Sequence, residues 1–198
     1  ALHYTIKSKN GRLTKLLLKY GANCDVVSNE FESPLHSAIL SHDACMSAYS
    51  SFSTFHKDIQ SIFMLIQHGC LLNIMYNYKN KLVTPFQLAA MQNKLKAAKM
   101  LFQAGCDVKS FAMEYTAMSD RDLINRFRET DLKFYNYVLN STQQPWKLSH
   151  ICRRKFRDNV KGVECIDKAN LPAKLKSFLN FCDVEEIMNS SMSYLRFL

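Results

Sequence analysis

Apolar positions along this chain fall in short clusters at helical spacing, and Gly, Pro or polar residues separate the clusters. The longest unbroken apolar run is residues 62–66, well short of the roughly 18–20 residues that a membrane-spanning helix needs. A chain of 198 residues is long enough for one or two domains with a substantial core. The pattern therefore predicts an all-α fold without a membrane span.

A first phrase recurs along the chain, first after 33 residues and then after 51. Leu2-His3 returns as Leu35-His36, and the longer form S-P-L-H-S-A at 33–38 returns as T-P-F-Q-L-A-A at 84–90. Ser or Thr followed by Pro predicts a helix N-cap and a first turn that tolerates proline. The small residues late in the phrase would let two helices pack closely.

A second phrase recurs in step with the first and ends in glycine. It reads L-L-K-Y-G-A, L-I-Q-H-G-C and L-F-Q-A-G-C, around Gly21, Gly69 and Gly105. We expect each glycine to end the second helix of a unit in the left-handed conformation, which glycine adopts at low cost. The residues that follow each glycine should form a hairpin-like link, here called a finger, to the next unit.

Together the two phrases resemble the ankyrin repeat, whose signature is T-P-L-H-x-A with a period of about 33 residues. The resemblance implies an ankyrin-repeat solenoid with units at 1–29, 30–80 and 81–113. The second unit has fifteen more residues between its Pro and its Gly than the third. We therefore expect an insertion at about 41–56, as a loop or a helix extension. Because the first unit has no capping helix, we also expect further repeats N-terminal to Ala1.

After Gly105 the repeat pattern fades into a helical periodicity that continues to about Leu139. We interpret 114–142 as degenerate capping helices, because a solenoid must cover its last apolar face. The polar run at 140–145 predicts a break, and a new helix should begin after Pro145.

The stretch after Pro145 places four apolar or thiol side chains on one helical face: Leu148, Ile151, Cys152 and Phe156. The phrase resembles the elongin-binding half of a SOCS box. The resemblance implies that these residues dock into a groove on elongin C of the elongin B/C pair, with Leu148 and Cys152 as the main anchors.

Further on, the phrase L-P-A-K-L-K-S-F-L at 171–179 resembles the cullin-5 half of the same box. The resemblance implies cullin contacts by Leu171, Pro172, Leu175 and Phe178. The family pattern has two successive Leu-Pro-like steps, and here the first step reads Ala169-Asn170, so one proline is missing. We assign a small three-helix SOCS-box module to 143–182 and a tail to 183–198.

Two other interpretations stay open. An apolar stripe near a chain's end can simply cap the last repeat, which would make the chain a non-catalytic ankyrin scaffold for protein–protein interaction without ligase recruitment. The formal net charge of +9, with nine Lys/Arg against three Asp/Glu in 143–180, also allows nucleic-acid binding. That segment lacks interleaved aromatics and a phosphate-binding loop, so we favour a basic helix face that meets solvent or an acidic protein.

The seven cysteines are odd in number and widely spaced, and no C-x-x-C occurs. This usage predicts free thiols in a reducing compartment, the cytoplasm or the nucleus, and no zinc site. No catalytic constellation or cofactor motif is recognisable, so we expect no enzymatic activity, no cofactor and no metal.

The sequence thus predicts a substrate-recognition adaptor of an elongin B/C–cullin-5–RING ubiquitin ligase. The repeats would bind an unknown protein substrate, and the box would recruit the ligase core. The candidate substrate contacts lie at the finger tips, where aromatic side chains are common hot spots. They are Glu30, Phe31, Tyr76, Tyr78 and Lys79.

Overall fold

The computed structural model of the chain describes residues 1–41, 52–108, 129, 132–143, 148–160 and 163–182. Within these residues the chain is mostly helical and contains one short two-stranded sheet. The predicted all-α class is therefore confirmed apart from that hairpin.

The first helices are α1 (Leu2–Lys7), α2 (Gly11–Lys19), α3 (Pro34–Ser41), α4 (Phe52–Gln67), α5 (Pro85–Met91) and α6 (Leu95–Ala104). The later helices are α7 (Leu132–Gln143), α8 (Leu148–Asn159), α9 (Val163–Lys168) and α10 (Ala173–Leu179). The strands are β1 (Tyr76–Tyr78) and β2 (Lys81–Val83), which lie between α4 and α5.

The first six helices form three stacked pairs, which we call the helix-pair array. Helix α1 packs on α2, α3 on α4, and α5 on α6. Successive pairs stack so that α1, α3 and α5 make one layer while α2, α4 and α6 make the other. The apolar side chains that the two layers enclose include Ile6, Ile39, Leu65, Phe86 and Leu101, all fully buried.

Helix α5 begins in the way that the T-P phrase predicts. The Oγ of Thr84 accepts the Gln87 N–H at 3.2 Å, and the Oε1 of Gln87 accepts the Thr84 N–H at 2.6 Å. Pro85 follows in the first turn, where its missing N–H costs nothing. At α3, the Oγ of Ser33 lies 3.4 Å from the His36 N–H.

The second helix of each pair ends at a glycine with positive φ: +79° at Gly21, +80° at Gly69 and +96° at Gly105. The residue after each glycine donates its N–H back to a carbonyl in the last turn, which satisfies an otherwise unpaired group. These bonds are Ala22 to Leu17 at 2.9 Å, Cys70 to Leu65 at 3.2 Å and Cys106 to Leu101 at 3.1 Å. The predicted left-handed helix ends are confirmed.

The two histidines of the first phrase have structural roles. The Nε2 of His3 lies 2.8 Å from the carbonyl oxygen of Glu32, which immediately precedes the Ser33 cap of the next pair. His36 is fully buried, and its Nδ1 lies 2.7 Å from the Oγ of Ser33. Burial lowers the pKa of His36 to about 4, although the Val83 backbone and the Glu32 carboxylate act in the opposite direction. His36 is therefore neutral at pH 7.

The longer finger between Gly69 and Pro85 is an antiparallel hairpin. Tyr76 pairs with Val83 and Tyr78 pairs with Lys81. The two turn residues, Lys79 and Asn80, have φ of +51° and +63°. Two successive positive φ values are typical of a type I′ turn, whose twist matches that of the strands.

One predicted boundary is wrong. The polar run at 140–145 was expected to interrupt the helix, but α7 continues through Gln143. Asn140 is exposed, and polar side chains are tolerated at the solvent-facing end of a helix. Pro145 disfavours helix at the residue before it, so the end falls close to the proline rather than at the first polar residue.

Two further expectations fall partly outside the described residues. Helix α4 begins at Phe52, so residues 52–56 of the predicted insertion extend a helix, while 42–51 lie outside. Most of the predicted capping region before α7 and the tail at 183–198 lie outside as well. Helix α7 itself reaches the core of the array, since Val138 is fully buried and Tyr135 packs beside it.

Candidate functional site

Three side chains of α8 form an exposed stripe at the i, i+3, i+4 spacing of one helix face. Leu148 is 75% exposed, Ile151 is 43% exposed, and Cys152 carries an exposed free thiol. We call these three residues the α8 stripe. Large apolar side chains that stay in solvent this way are typical of a surface that another molecule covers. Phe156, the fourth predicted member, is half-buried and is therefore less accessible than the other three.

The opposite side of α8 is held inward by Arg153, which is 1% exposed. Its guanidinium carbon lies 3.5 Å from the centre of the Phe178 ring and 4.8 Å from that of Phe181. Aromatic faces attract a cation and compensate part of the cost of removing it from water. Successive residues of an α-helix are about 100° apart, so the residues of the α8 stripe lie about 100–160° around the helix from Arg153. Burying the arginine therefore turns the α8 stripe toward solvent. The sequence pattern gave no sign of this role, since Arg153 stands in a basic run.

Polar contacts fasten α9 to α10. The Nζ of Lys176 donates to the Asp167 carbonyl oxygen at 2.6 Å, and the Nδ2 of Asn180 donates to the Asp167 Oδ1 at 2.9 Å. Ile166 and Leu179 are buried beside these bonds. Since α10 contacts both α8 and α9, the three short helices make one unit.

This three-helix unit also contacts the helix-pair array. The Nε2 of Gln67, the last residue of α4, donates to the Asn180 carbonyl oxygen at 3.1 Å. Phe181 is 3% exposed and belongs to the same buried cluster as the array. The end of α10 is therefore the junction between the unit and the array.

The four residues predicted to contact cullin-5 are divided between surface and interior. Pro172 is exposed and Leu175 is 41% exposed, whereas Leu171 and Phe178 are half-buried. The Phe178 ring lies against the Arg153 guanidinium, so part of its surface is used within the protein. Pro172 is the N-cap residue of α10, which puts Leu175 on the first turn of that helix.

Residues 144–180 match the family model of the SOCS box. The chain contains a SOCS box. This box is an elongin B/C-binding motif of ubiquitin ligase adaptors. It contains α8, α9 and α10, and it therefore contains both the α8 stripe and the Arg153 contact. A search of curated proteins finds no match to the chain.

The five predicted substrate contacts do not share one environment. Glu30 and Phe31 are exposed in the first finger, and Phe31 has a φ of +59°, an uncommon conformation for a bulky residue. In the hairpin, Lys79 places its Nζ 5.4 Å from the centre of the half-buried Tyr78 ring. Tyr76 is only 9% exposed, so its side chain packs inside the protein and is not part of the surface that a substrate could contact.

Two neighbouring aromatic rings explain why Tyr76 is buried. Its ring centre lies 5.1 Å from that of His36 and 6.3 Å from that of Tyr78. The Tyr78 hydroxyl in turn accepts the Gln92 Nε2–H at 2.9 Å. Leu82, which the sequence pattern did not single out, is 64% exposed in β2.

Within the described ranges, no cluster of three or more His, Cys, Asp or Glu residues is placed to hold a metal ion. The same part of the chain contains no helix that is both long and apolar enough to cross a membrane. The six cysteines that the structure describes are free thiols.

Proposed function

We propose that this chain is a non-catalytic substrate-recognition adaptor of an elongin B/C–cullin-5–RING ubiquitin ligase. The helix-pair array would be an ankyrin-repeat domain that binds the substrate. The SOCS box would recruit elongin B/C and, through it, the rest of the ligase. The free thiols fit a role in the cytoplasm or nucleus.

The observation that carries the proposal is the α8 stripe within the matched SOCS box. An amphipathic helix that docks into a groove needs apolar anchors at i, i+3 and i+4, and they must be accessible before binding. Leu148, Ile151 and Cys152 meet both conditions. The small thiol of Cys152 suits a tight apolar pocket that a larger residue would overfill.

The cullin step rests on the start of α10. Exposed Pro172 and partly exposed Leu175 are available to a partner without rearrangement. We propose cullin-5 as the cullin because the phrase at 171–179 resembles the cullin-5 half of the SOCS box. Because Ala169-Asn170 replaces the first Leu-Pro step, we expect this contact to be weaker than one with both prolines.

The ankyrin assignment is supported by the recurrence of the same devices in successive pairs. Left-handed glycines end the three second helices, and a Ser or Thr stands before the proline that opens α3 and α5. The His3 ring contacts the carbonyl oxygen of Glu32, the residue just before the Ser33 cap of the next pair, as expected for a repeated unit. The exposed finger residues Glu30, Phe31 and Lys79 are the substrate contacts that we propose.

The proposed mechanism is proximity. An adaptor that holds a substrate beside a ubiquitin-loaded enzyme raises the effective concentration of the substrate's lysines without breaking or forming a bond itself. This mechanism requires no cofactor and no metal on the adaptor.

The decisive experiment is retention of purified elongin B/C on the immobilised chain. Leu148→Asp and Cys152→Asp should each reduce retention at least tenfold, because a carboxylate would have to be buried in an apolar groove. Leu82→Asp is the matched control, since Leu82 is similarly exposed but lies in the β hairpin. It should leave retention unchanged.

If the unchanged chain fails to retain elongin B/C, or if both SOCS-box variants bind as well as the Leu82 control, the adaptor proposal is wrong. The chain would then be better explained as an ankyrin scaffold without ligase recruitment. Salt-sensitive binding to nucleic acid would instead favour a role for the basic charge.

A further inference from the structure

Large apolar side chains are exposed in the two fingers that the structure describes in full, at 22–32 and 70–83. No described side chain of α3, α5 or α6 is large, apolar and exposed. Scattered apolar residues are ordinary on a protein surface, but a group of them in two neighbouring fingers indicates an interaction surface. We call this group the finger strip. Its members are Val26, Val27 and Phe31 in the first finger and Leu71, Met75 and Leu82 in the second.

Hydrogen bonds hold successive fingers side by side. The Asp25 Oδ1 accepts the Leu71 N–H at 2.7 Å, and the Asn73 Oδ1 accepts the Asp107 N–H at 2.8 Å. Asp25 and Asn73 each stand four residues after the glycine of their pair, so the same contact joins the first finger to the second and the second to the third. Because Val26 follows Asp25 directly, the finger strip continues from the first finger to Leu71 of the second.

The exposure of the finger strip repeats from one finger to the next. Val27 and Met75, each six residues after the glycine of its pair, are 44% and 46% exposed. Phe31 and Leu82, each three residues before the proline that opens the next helix, are 69% and 64% exposed. The second finger has the first beside it, yet its residues are as exposed as their counterparts. Their exposure is therefore a property of the fingers and does not arise from a missing neighbour.

Phe31 adopts a backbone conformation that bulky residues rarely take. Its φ is +59°, in the left-handed region, where glycine would make the same turn at lower cost. The turn itself is closed by backbone bonds, Phe31 N–H to the Ser28 carbonyl at 2.9 Å and Ser28 N–H to the Glu32 carbonyl at 2.9 Å. Since the exposed ring contributes little to the fold, a partner that the ring contacts would explain the strain.

The exposed charges beside the finger strip differ in sign between the two fingers. Glu30 is exposed directly before Phe31 in the first finger, and Lys79 is exposed at the turn of the second. A partner with the complementary charges would be attracted in one orientation only. The two fingers contain three acidic and two basic residues in all. This near-balance favours a protein partner over a nucleic acid, whose phosphates require a basic surface.

We propose that the finger strip binds a protein segment with two large apolar side chains about 10 Å apart, the usual spacing of packed helices and so of the fingers that follow them. One side chain would pack on Phe31 and the other on Leu82, with a basic residue of the segment near Glu30 and an acidic one near Lys79. About 10 Å is three residues of an extended chain or seven of a helix, so a short linear segment is sufficient. The proposal rests on the proposed substrate-binding role of the array and names the class of segment that the array would hold.

The test selects peptides on the purified full chain. Random peptides of about twelve residues, displayed on phage, are long enough for either spacing. The enriched peptides should carry two large apolar residues between a basic and an acidic residue. Leu82→Ser should reduce their affinity about tenfold, because it removes one of the two apolar contacts. Leu16→Ser is the matched control, since Leu16 is an exposed apolar residue of α2 outside the fingers, and it should leave the affinity unchanged.

Phe31→Gly should have opposite effects on the fold and on binding. The Tm should rise by about 2 °C, because glycine adopts the positive φ without strain. The peptide affinity should fall about tenfold, because the apolar contact is lost. A lower Tm would mean that the ring supports the fold, and an unchanged affinity would mean that no partner contacts it. Either result would contradict the proposal.

The charges are tested by exchanging them. The double variant Glu30→Lys with Lys79→Glu should enrich peptides in which the order of the basic and acidic residues is reversed. Peptides that bind the unchanged chain and the Leu82→Ser chain equally would overturn the proposal, and so would a selection without enrichment. Retention of elongin B/C is measured separately. Its failure with peptides still bound would contradict the ligase role alone, whereas lost peptide binding with elongin retained would contradict only the finger strip.

Discussion

The guanidinium of Arg153 lies 3.5 Å from the centre of the Phe178 ring, and this contact joins α8 to α10. One helix carries the stripe proposed to meet elongin, and the other carries the residues proposed to meet cullin-5. Because Phe181 lies under the same guanidinium and also reaches the array core, the three parts share one buried cation. The two proposed partner surfaces are thereby fixed relative to each other and to the array.

Arg153→Ala should destabilise the SOCS box by about 2 kcal/mol, because it removes a buried cation–π contact and leaves a cavity. Arg153→Lys should recover only part of this, since an ammonium lacks the flat guanidinium that stacks on a ring. Urea unfolding followed by circular dichroism measures both. Lys155→Ala is the control, as Lys155 is exposed on the same helix. Equal losses at positions 153 and 155 would contradict the role of the stack.

Gln67→Ala should loosen the junction between the SOCS box and the array at a cost of about 1 kcal/mol, the usual value of one hydrogen bond. The lost donor is the one that reaches the Asn180 carbonyl oxygen. Hydrogen exchange should rise at the end of α10. Retention of elongin B/C should stay unchanged, because neither Gln67 nor Asn180 belongs to the α8 stripe. Gln60→Ala, at an exposed position of the same helix, should leave the exchange unaltered.

The features that the sequence could predict are those encoded by neighbouring residues. Thr84-Pro85 with Gln87 forms a cap, and each glycine ends its own helix, so a few residues suffice to determine the geometry. The α8 stripe was predictable for the same reason, since its spacing alone places it on one face of a helix. The exposure of the stripe was not, because exposure depends on what packs behind it.

The features that escaped prediction depend on residues far apart in the chain. Arg153 is buried only because Phe178 and Phe181 return to it from α10, and nothing local distinguishes it from its basic neighbours. Tyr76 is similar. Its place in a short strand is compatible with either an exposed or a buried side chain, and it is buried because its ring packs near His36 of α3. The junction of Gln67 with Asn180 spans 113 positions.

His36 should make the protein less stable in mild acid. Burial lowers the pKa of His36 from 6.5 to about 4. Between pH 4 and 6.5, this histidine is therefore protonated in the unfolded chain and neutral in the folded chain. The free energy of unfolding should therefore fall as the pH drops from about 6.5 toward 4, by about 3 kcal/mol in all. Urea titrations at several pH values measure the slope.

The matched variant for this test is His36→Gln, because Gln87 occupies the same place in the third pair. It removes the titrating group while keeping a polar side chain next to the cap. The slope between pH 4.5 and 6.5 should decrease to that of the remaining groups. A variant with the same slope as the unchanged chain would assign the acid sensitivity to other residues.

Asn170→Pro should strengthen cullin-5 binding by the chain in its complex with elongin B/C. Asn170 is exposed and lies two residues before Pro172, at the site of the Leu-Pro step that this sequence lacks. Proline there would hold the segment before α10 extended in advance and so reduce the entropy lost on binding. We expect a gain of a few-fold in affinity, measured by titration of purified complexes, with elongin B/C retention unchanged. Asn170→Ala is the control, since it removes the amide without restricting φ, and it should give no gain. If proline and alanine behave alike, the missing proline does not limit cullin binding, and the contact must depend on Leu175 and its neighbours instead.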